Sequence, residues 1–174
     1  MKPMSDPCLE LTLTDSSATE SLGLALASAF PGAGRGAAVL FLHGELGAGK
    51  TSCARSLLQG LGVQGKVRSP TYTLVDAYVL EGLTCVHVDL YRVQSLTEVD
   101  ELGLRDYAGP GHLLLIEWAE KGMGVLPPAD LDLTLRYSGA GRCAHAEAKT
   151  RLGKQWLANL ARNSSLSPYV SNLT

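Results

Sequence analysis

Residues 37–62 read AAVLFLHGELGAGKTSCARSLLQGLG. The stretch falls into three parts. Ala37 to Leu42 is a continuous apolar run, the pattern of a strand buried on both faces of a sheet. Gly44-Glu45-Leu46-Gly47-Ala48-Gly49-Lys50-Thr51 matches G-x-x-x-x-G-K-[ST] at every fixed position. Lys50 to Leu61 has helical composition and is closed by Gly60 and Gly62. Strand, glycine loop and helix in that order are the setting a phosphate-binding loop needs. Glycines let the backbone curl so that successive N–H groups point at phosphate oxygens. The helix that starts there adds the positive end of its dipole. Lys50 then offers a cation to the β- and γ-phosphates, and the Thr51 hydroxyl offers an oxygen to Mg²⁺.

Working outward, Cys8 to Leu13 alternates apolar and polar residues, as a half-buried strand does. Asp15-Ser16-Ser17 supplies N-cap side chains for a helix from about Ser17 to Phe30. Tyr72 to Leu80 and Leu83 to Leu90 are β-rich segments joined by Glu81-Gly82, a hairpin signal. Ser95 to Leu104 reads as a short helix, with Glu98 at capping-box spacing from Ser95. His112 to Ile116, Leu131 to Tyr137 and Arg142 to Thr150 read as strands, and Leu152 to Ala161 as a closing helix. Interleaved strands and helices predict an α/β P-loop NTPase fold, with a mixed, mostly parallel central sheet and helices on both faces. Residues 1–163 form one domain in this reading, and 164–174, without periodicity, a mobile tail.

Composition narrows the function classes. The 174 residues are 45% hydrophobic and 18% charged, which is globular rather than disordered. No apolar run has the length of a membrane helix, and MKPMSDPCLELTL lacks the apolar core of a secretory signal, so the expected location is the cytoplasm. Cys8, Cys53, Cys85 and Cys143 lie far apart, without metal-ligand spacing, and read as reduced thiols. The net charge of −2 does not announce a DNA or RNA binder. The chain from Arg136 onward nevertheless carries six basic residues and one acid, or +5. That asymmetry suits either a solvated face or a patch for an acidic partner.

A phosphate loop needs a carboxylate at the end of a neighbouring strand to serve the metal. Asp89 ends one apolar strand and Glu117 another, and the spacing alone does not choose between them. Thr71, in the polar loop Arg68-Ser69-Pro70-Thr71, occupies the place where nucleotide switches sense the γ-phosphate and metal. No N-K-x-D marks guanine specificity, and the D-x-x-G at Asp100–Gly103 lies in a helical stretch rather than after a strand. ATP is thus favoured by elimination.

The phosphate loop combines with Ser69-Pro70-Thr71-Tyr72-Thr73-Leu74, His87-Val88-Asp89-Leu90-Tyr91-Arg92, Glu101-Leu102-Gly103-Leu104-Arg105-Asp106-Tyr107 and Ile116-Glu117-Trp118-Ala119-Glu120-Lys121. Over residues 9 to 160, their order and spacing resemble the TsaE family, also called YjeE. This is the ATPase subunit of bacterial tRNA threonylcarbamoyladenosine synthesis. The resemblance implies binding of ATP or ADP with Mg²⁺, through Gly44 to Thr51 and Ser52. It implies Glu117 in the metal shell with Thr51, Asp89 in the Walker B role, and Thr71 in a switch-like loop. Trp118 and Arg142 match positions near the nucleotide, and Ser17, within Ser17–Thr19, matches a segment near the base. It further implies a weak ATPase that works with TsaD and TsaB on adenosine 37 of tRNA, reaching the tRNA through that complex. The basic C-terminal region, with Lys149, Arg151 and Lys154, is a candidate docking patch for the pair. Ala119 stands where many members have Pro or Ser, and Glu45 where Asp is common; neither removes a phosphate or metal group. Two other readings share the loop. A small-metabolite kinase would need an arginine-rich lid, whereas Arg68, Arg92 and Arg105 are dispersed. A scaffold would hold nucleotide without useful hydrolysis.

Overall fold

The apolar run before the glycine loop becomes strand β2 (Ala38–His43), near the centre of an eight-stranded sheet. The structure is a computed structural model that describes residues 6–174; residues 1–5, on which part of the N-terminal reading falls, lie outside the described residues. The other strands are β1 (Cys8–Leu13), β3 (Val75–Leu80), β4 (Leu83–Asp89), β5 (His112–Glu117), β6 (Leu131–Ser138), β7 (Gly141–Ala148) and β8 (Val170–Leu173). The helices are α1 (Ser16–Ala29), α2 (Lys50–Gly60), α3 (Leu96–Glu101) and α4 (Arg151–Ala161). Strand order is β3-β4-β5-β2-β6-β7-β1-β8.

Only the four central strands, β4-β5-β2-β6, pair in parallel. The β3–β4 and β6–β7 hairpins, and the β1–β7 and β1–β8 pairs, are antiparallel. The expected mixed sheet is present, but antiparallel pairs outnumber parallel ones among the described residues. Short loops at Gly82 (φ 74°) and Gly139 (φ 57°) fold both flanks back on themselves.

Helices are unequally divided between the faces. Leu22 and Leu26 of α1, Leu57 and Leu58 of α2, and Trp156 and Leu160 of α4 share one core with Leu9, Leu11, Leu40, Leu42, Leu133 and Leu135 of the sheet. Each fully buried leucine is worth about 1.5–3 kcal/mol over exposure. The Trp156 indole N–H donates to the Leu26 carbonyl at 2.9 Å, so its burial leaves no unmet donor. The opposite face (Val39, Phe41, Val86, Val88, Leu114, Ile116) is covered by α3, 3-10 turns and loops. The helix expected over Ser95–Leu104 stops at Glu101, because Gly103 takes a left-handed conformation (φ 67°) and a 3-10 turn follows.

The C-terminal segment also departs from expectation. Ser164–Leu166 form a 3-10 turn, and Val170–Leu173 add strand β8 beside β1. The Cys8 N–H donates to the Thr174 carbonyl at 2.8 Å, and the Thr174 N–H to Cys8 at 3.0 Å. The free edge of β1 recruits a segment too short and too exposed to show periodicity. No helix among the described residues is long and apolar enough to cross a membrane.

Candidate functional site

Beyond His43 the chain turns through Gly44 at φ 140°, where a β-carbon would stand 2.3 Å from the Leu135 carbonyl oxygen. Only glycine fits that approach. Gly49 (φ 107°) starts α2 with no side-chain cap, which leaves the first N–H groups of the helix for an anion. Lys50 is only 4% exposed. Its ammonium donates to the Gly44 carbonyl at 2.5 Å and the Glu45 carbonyl at 2.9 Å, and lies 4.1 Å from the Trp118 ring centroid. Burial pushes its pKa down, against the pull of Glu117, Glu120 and Asp89.

Parallel pairing places the two candidate carboxylates together. Asp89 on β4 is opposite Glu117 on β5, and Glu117 is opposite Leu42 on β2. Loop, Glu117 and Asp89 therefore stand in a row at the carboxyl edge of three neighbouring strands. Glu117 is 2% exposed. The Thr51 hydroxyl donates to its two oxygens at 3.1 and 3.0 Å, and His87 Nε2 donates to Oε1 at 2.8 Å.

Asp89 has different partners. Its Oδ1 accepts the Tyr91 N–H at 2.9 Å, and its Oδ2 accepts the Ser69 hydroxyl and, at 3.4 Å, the Thr71 hydroxyl. It thus ties the Thr71 loop to the strand end. Leu74 (φ 65°) and Trp118 (φ 59°), which flank this corner, hold left-handed backbones that cost a non-glycine residue about 1–3 kcal/mol. Lys50, Thr51, Ser52, Thr71, Asp89, Glu117 and Trp118 line one cavity of about 290 Å³. Its hydroxyl and carboxylate oxygens can accept a small hard cation.

A second cavity of about 290 Å³ lies on the other side of the loop, lined by Gly47, Ala48, Gly49, Ser52 and Arg142 and, from the start of α1, by Asp15, Ser16 and Thr19. Ser17 does not line it. Helical spacing turns Ser16 and Thr19, three residues apart, toward the loop and leaves Ser17 in solvent. Arg142 braces the loop from behind. Its guanidinium donates to the Ala48 and Gly47 carbonyls, each at 3.2 Å, and stacks on the Tyr137 ring at 4.1 Å. The Tyr137 hydroxyl donates to the Leu46 carbonyl at 3.0 Å.

The model of the family described as threonylcarbamoyl adenosine biosynthesis protein TsaE matches residues 13–144. The chain belongs to the TsaE family. The Haemophilus influenzae tRNA threonylcarbamoyladenosine biosynthesis protein TsaE is 47% identical over 118 residues, 68% of this chain and 75% of that protein. The TsaE protein of Synechocystis is 36% identical over 122 residues, 68% of this chain and 74% of that protein. Bacillus subtilis TsaE is 37% identical over 101 residues, 58% of this chain and 63% of that protein. The crystal structure of Bacillus subtilis YdiB superposes with a TM-score of 0.76 and 26% identity, covering 92% of this chain and 98% of that one. A place in threonylcarbamoyladenosine biosynthesis and the α/β P-loop fold follow from this kinship. The TsaE match includes the phosphate loop, Thr71, Asp89, Glu117, Trp118 and Arg142, and ends before α4 and β8.

Several residues of this TsaE-family site escaped the reading of the sequence: Ser69, His87, Tyr137 and His43. His43 contacts Asp132 at 3.0 Å and Glu120 at 3.4 Å, just before Gly44. Ser69 and His87 sat inside recognised motifs, and the period of two along β4 puts His87 on the face of Asp89. Tyr137 and His43 left no local signal. The basic C-terminal residues have different partners. Arg142 binds the loop, and Lys149 pairs with Glu147 at 2.7 Å and Asp132 at 3.9 Å. Arg151, Lys154 and Arg162 remain exposed on α4 and its C-terminal end, with no ion pair among the described residues.

Proposed function

We propose that the chain binds ATP with Mg²⁺ and hydrolyses it slowly on its own. In this reading it is the nucleotide-driven subunit that supports TsaD and TsaB as they threonylcarbamoylate adenosine 37 of tRNA. One observation carries the reading: an uncapped helix start, the buried Lys50 ammonium, and the Thr51–Glu117 contact all converge at the carboxyl edge of neighbouring parallel strands. A phosphate chain and a small hard cation are the ligands whose chemistry suits that set.

The residues then take these roles. Backbone N–H groups from Glu45 to Thr51 receive phosphate oxygens. Lys50 exchanges its two carbonyl contacts for the β- and γ-phosphates. Thr51 and Glu117 would hold Mg²⁺, with Asp89 supporting that site while it anchors the Thr71 loop. When bound, Mg²⁺ neutralises charge on the phosphate oxygens. In hydrolysis a water oxygen bonds to the γ-phosphorus, the bond to the β–γ bridging oxygen breaks, and ADP and phosphate leave. Trp118 lies beside the phosphates. Arg142 and Ser52 serve the loop and the cavity toward α1, where the nucleoside fits.

The test is phosphate release from Mg-ATP by the purified chain, alone and with purified TsaD and TsaB. A low rate that rises with the pair is expected. No stimulation, together with no co-elution of the three proteins, would overturn the reading.

A further inference from the structure

His87 is fully buried on β4, two residues before Asp89 on the same face of the strand. Its Nε2 lies 2.8 Å from Glu117 Oε1. Its Nδ1 is buried with no hydrogen-bond partner among the described residues. An ionised carboxylate only accepts, so the proton of this contact sits on Nε2. The contact holds the Glu117 carboxylate in place beside the Thr51 hydroxyl.

We propose that His87 is the positioning residue for Glu117: its Nε2–H holds the carboxylate against the Thr51 hydroxyl, turned to receive a divalent cation. This rests on the reading of Glu117 as a Mg²⁺ ligand. Hydrogen-bond partners behind a metal ligand, when removed, typically cost about 10- to 100-fold in metal affinity.

The experiment titrates Mg²⁺ against the full chain with a fluorescent, non-hydrolysable ATP analogue and reads the Mg²⁺ concentration at half-maximal binding. Binding in EDTA and the melting temperature are measured beside it. His87→Leu removes the donor at similar bulk and should raise the Mg²⁺ requirement about 10-fold or more, with binding in EDTA unchanged. His87→Gln places an amide N–H near the Nε2 position and should restore most of the requirement. His87→Asn, equally polar but too short to reach Glu117, should not. If the leucine variant is unfolded, the contrast between glutamine and asparagine decides. A Mg²⁺ requirement unmoved in the leucine variant, or equal in the glutamine and asparagine variants, overturns the proposal. Wild-type binding indifferent to Mg²⁺ would instead overturn the parent metal reading, and this proposal with it.

Discussion

Gly23→Ala should destabilise the protein, although the same change inside a helix ordinarily stabilises by about 1 kcal/mol. Gly23 is where α1 packs on α2. A β-carbon there would stand 2.4 Å from the Cys53 carbonyl oxygen, 2.7 Å from Ser56 Cβ and 3.0 Å from the Leu57 nitrogen, where ordinary contact begins at 3.4 Å. Two of these atoms are backbone, so no change of rotamer relieves the clash, and the helices must part by about 1 Å. Overpacking of this kind costs about 1–3 kcal/mol, and parting the helices also loosens Leu22, Leu26, Leu57 and Leu58, all fully buried. Set against the propensity gain, overpacking alone leaves a net loss of about 0–2 kcal/mol, to which the loosened core adds, or up to about 8 °C in melting temperature for a chain of this size. The effect should extend to the site. α1 carries Asp15, Ser16 and Thr19 into the cavity beside the loop, so nucleotide binding should weaken as well. Thermal melting by circular dichroism, with binding of a fluorescent nucleotide, measures both. Gly34→Ala, which meets nothing within 4 Å, is the control and should stay within about 0.5 kcal/mol. A Gly23→Ala melting temperature equal to or above wild type would refute the close-packing argument.

Lys50→Ala should weaken ATP binding roughly 100-fold or more, because a charged donor to two phosphates is lost; equilibrium binding checks this. Glu117→Ala should spare nucleotide binding in EDTA more than Mg²⁺-dependent phosphate release, which is read in parallel assays. The hydrogen bond to Asp132, opposed by burial and aided by the charges of Asp132 and Glu120, raises the His43 pKa above 6.5. Its contribution to stability is complete below 6.5 and is lost as pH rises through the raised folded-state value. Denaturant midpoints should therefore fall more steeply as pH rises above 6.5 in wild type than in His43→Gln. Charge reversal at Arg151 and Lys154 should weaken assembly with TsaD and TsaB roughly 3- to 30-fold if α4 docks there, and unchanged affinity would remove α4 from the interface.

Strands and helices whose partners lie close in sequence were legible to within three residues, the largest offsets being the start of β3 at Val75 rather than Tyr72 and the end of α3 at Glu101 rather than Leu104. β2, the loop and α2 carry their own pattern, and Asp15 caps α1 through the Ala18 N–H as its position implies. What the sequence lacked was pairing information. The antiparallel flank β6-β7-β1 depends on β1, near one end of the chain, meeting β7 with Leu13 opposite Arg142. Nothing local to Cys8–Leu13 marks that partner. β8 was missed for a related reason: four exposed residues have no buried face to generate a period, and their order comes from the edge they cover.

The site shows the same division more sharply. Asp89 and Glu117 were equivalent as strand-end acids, and the register confirms both as neighbours at one edge. Their partners separate them. Asp89 spends both oxygens on Ser69, Thr71 and the Tyr91 N–H, all within 20 residues of it. Glu117 is met from 66 residues away by Thr51 and from 30 by His87. A strand-end position is set by local pattern, but the donors that reach a carboxylate are set by which strands become neighbours. The acid tied by its own flanking loops is thereby suited to holding those loops. The acid that faces the phosphate-loop hydroxyl is the one suited to meeting the ligand.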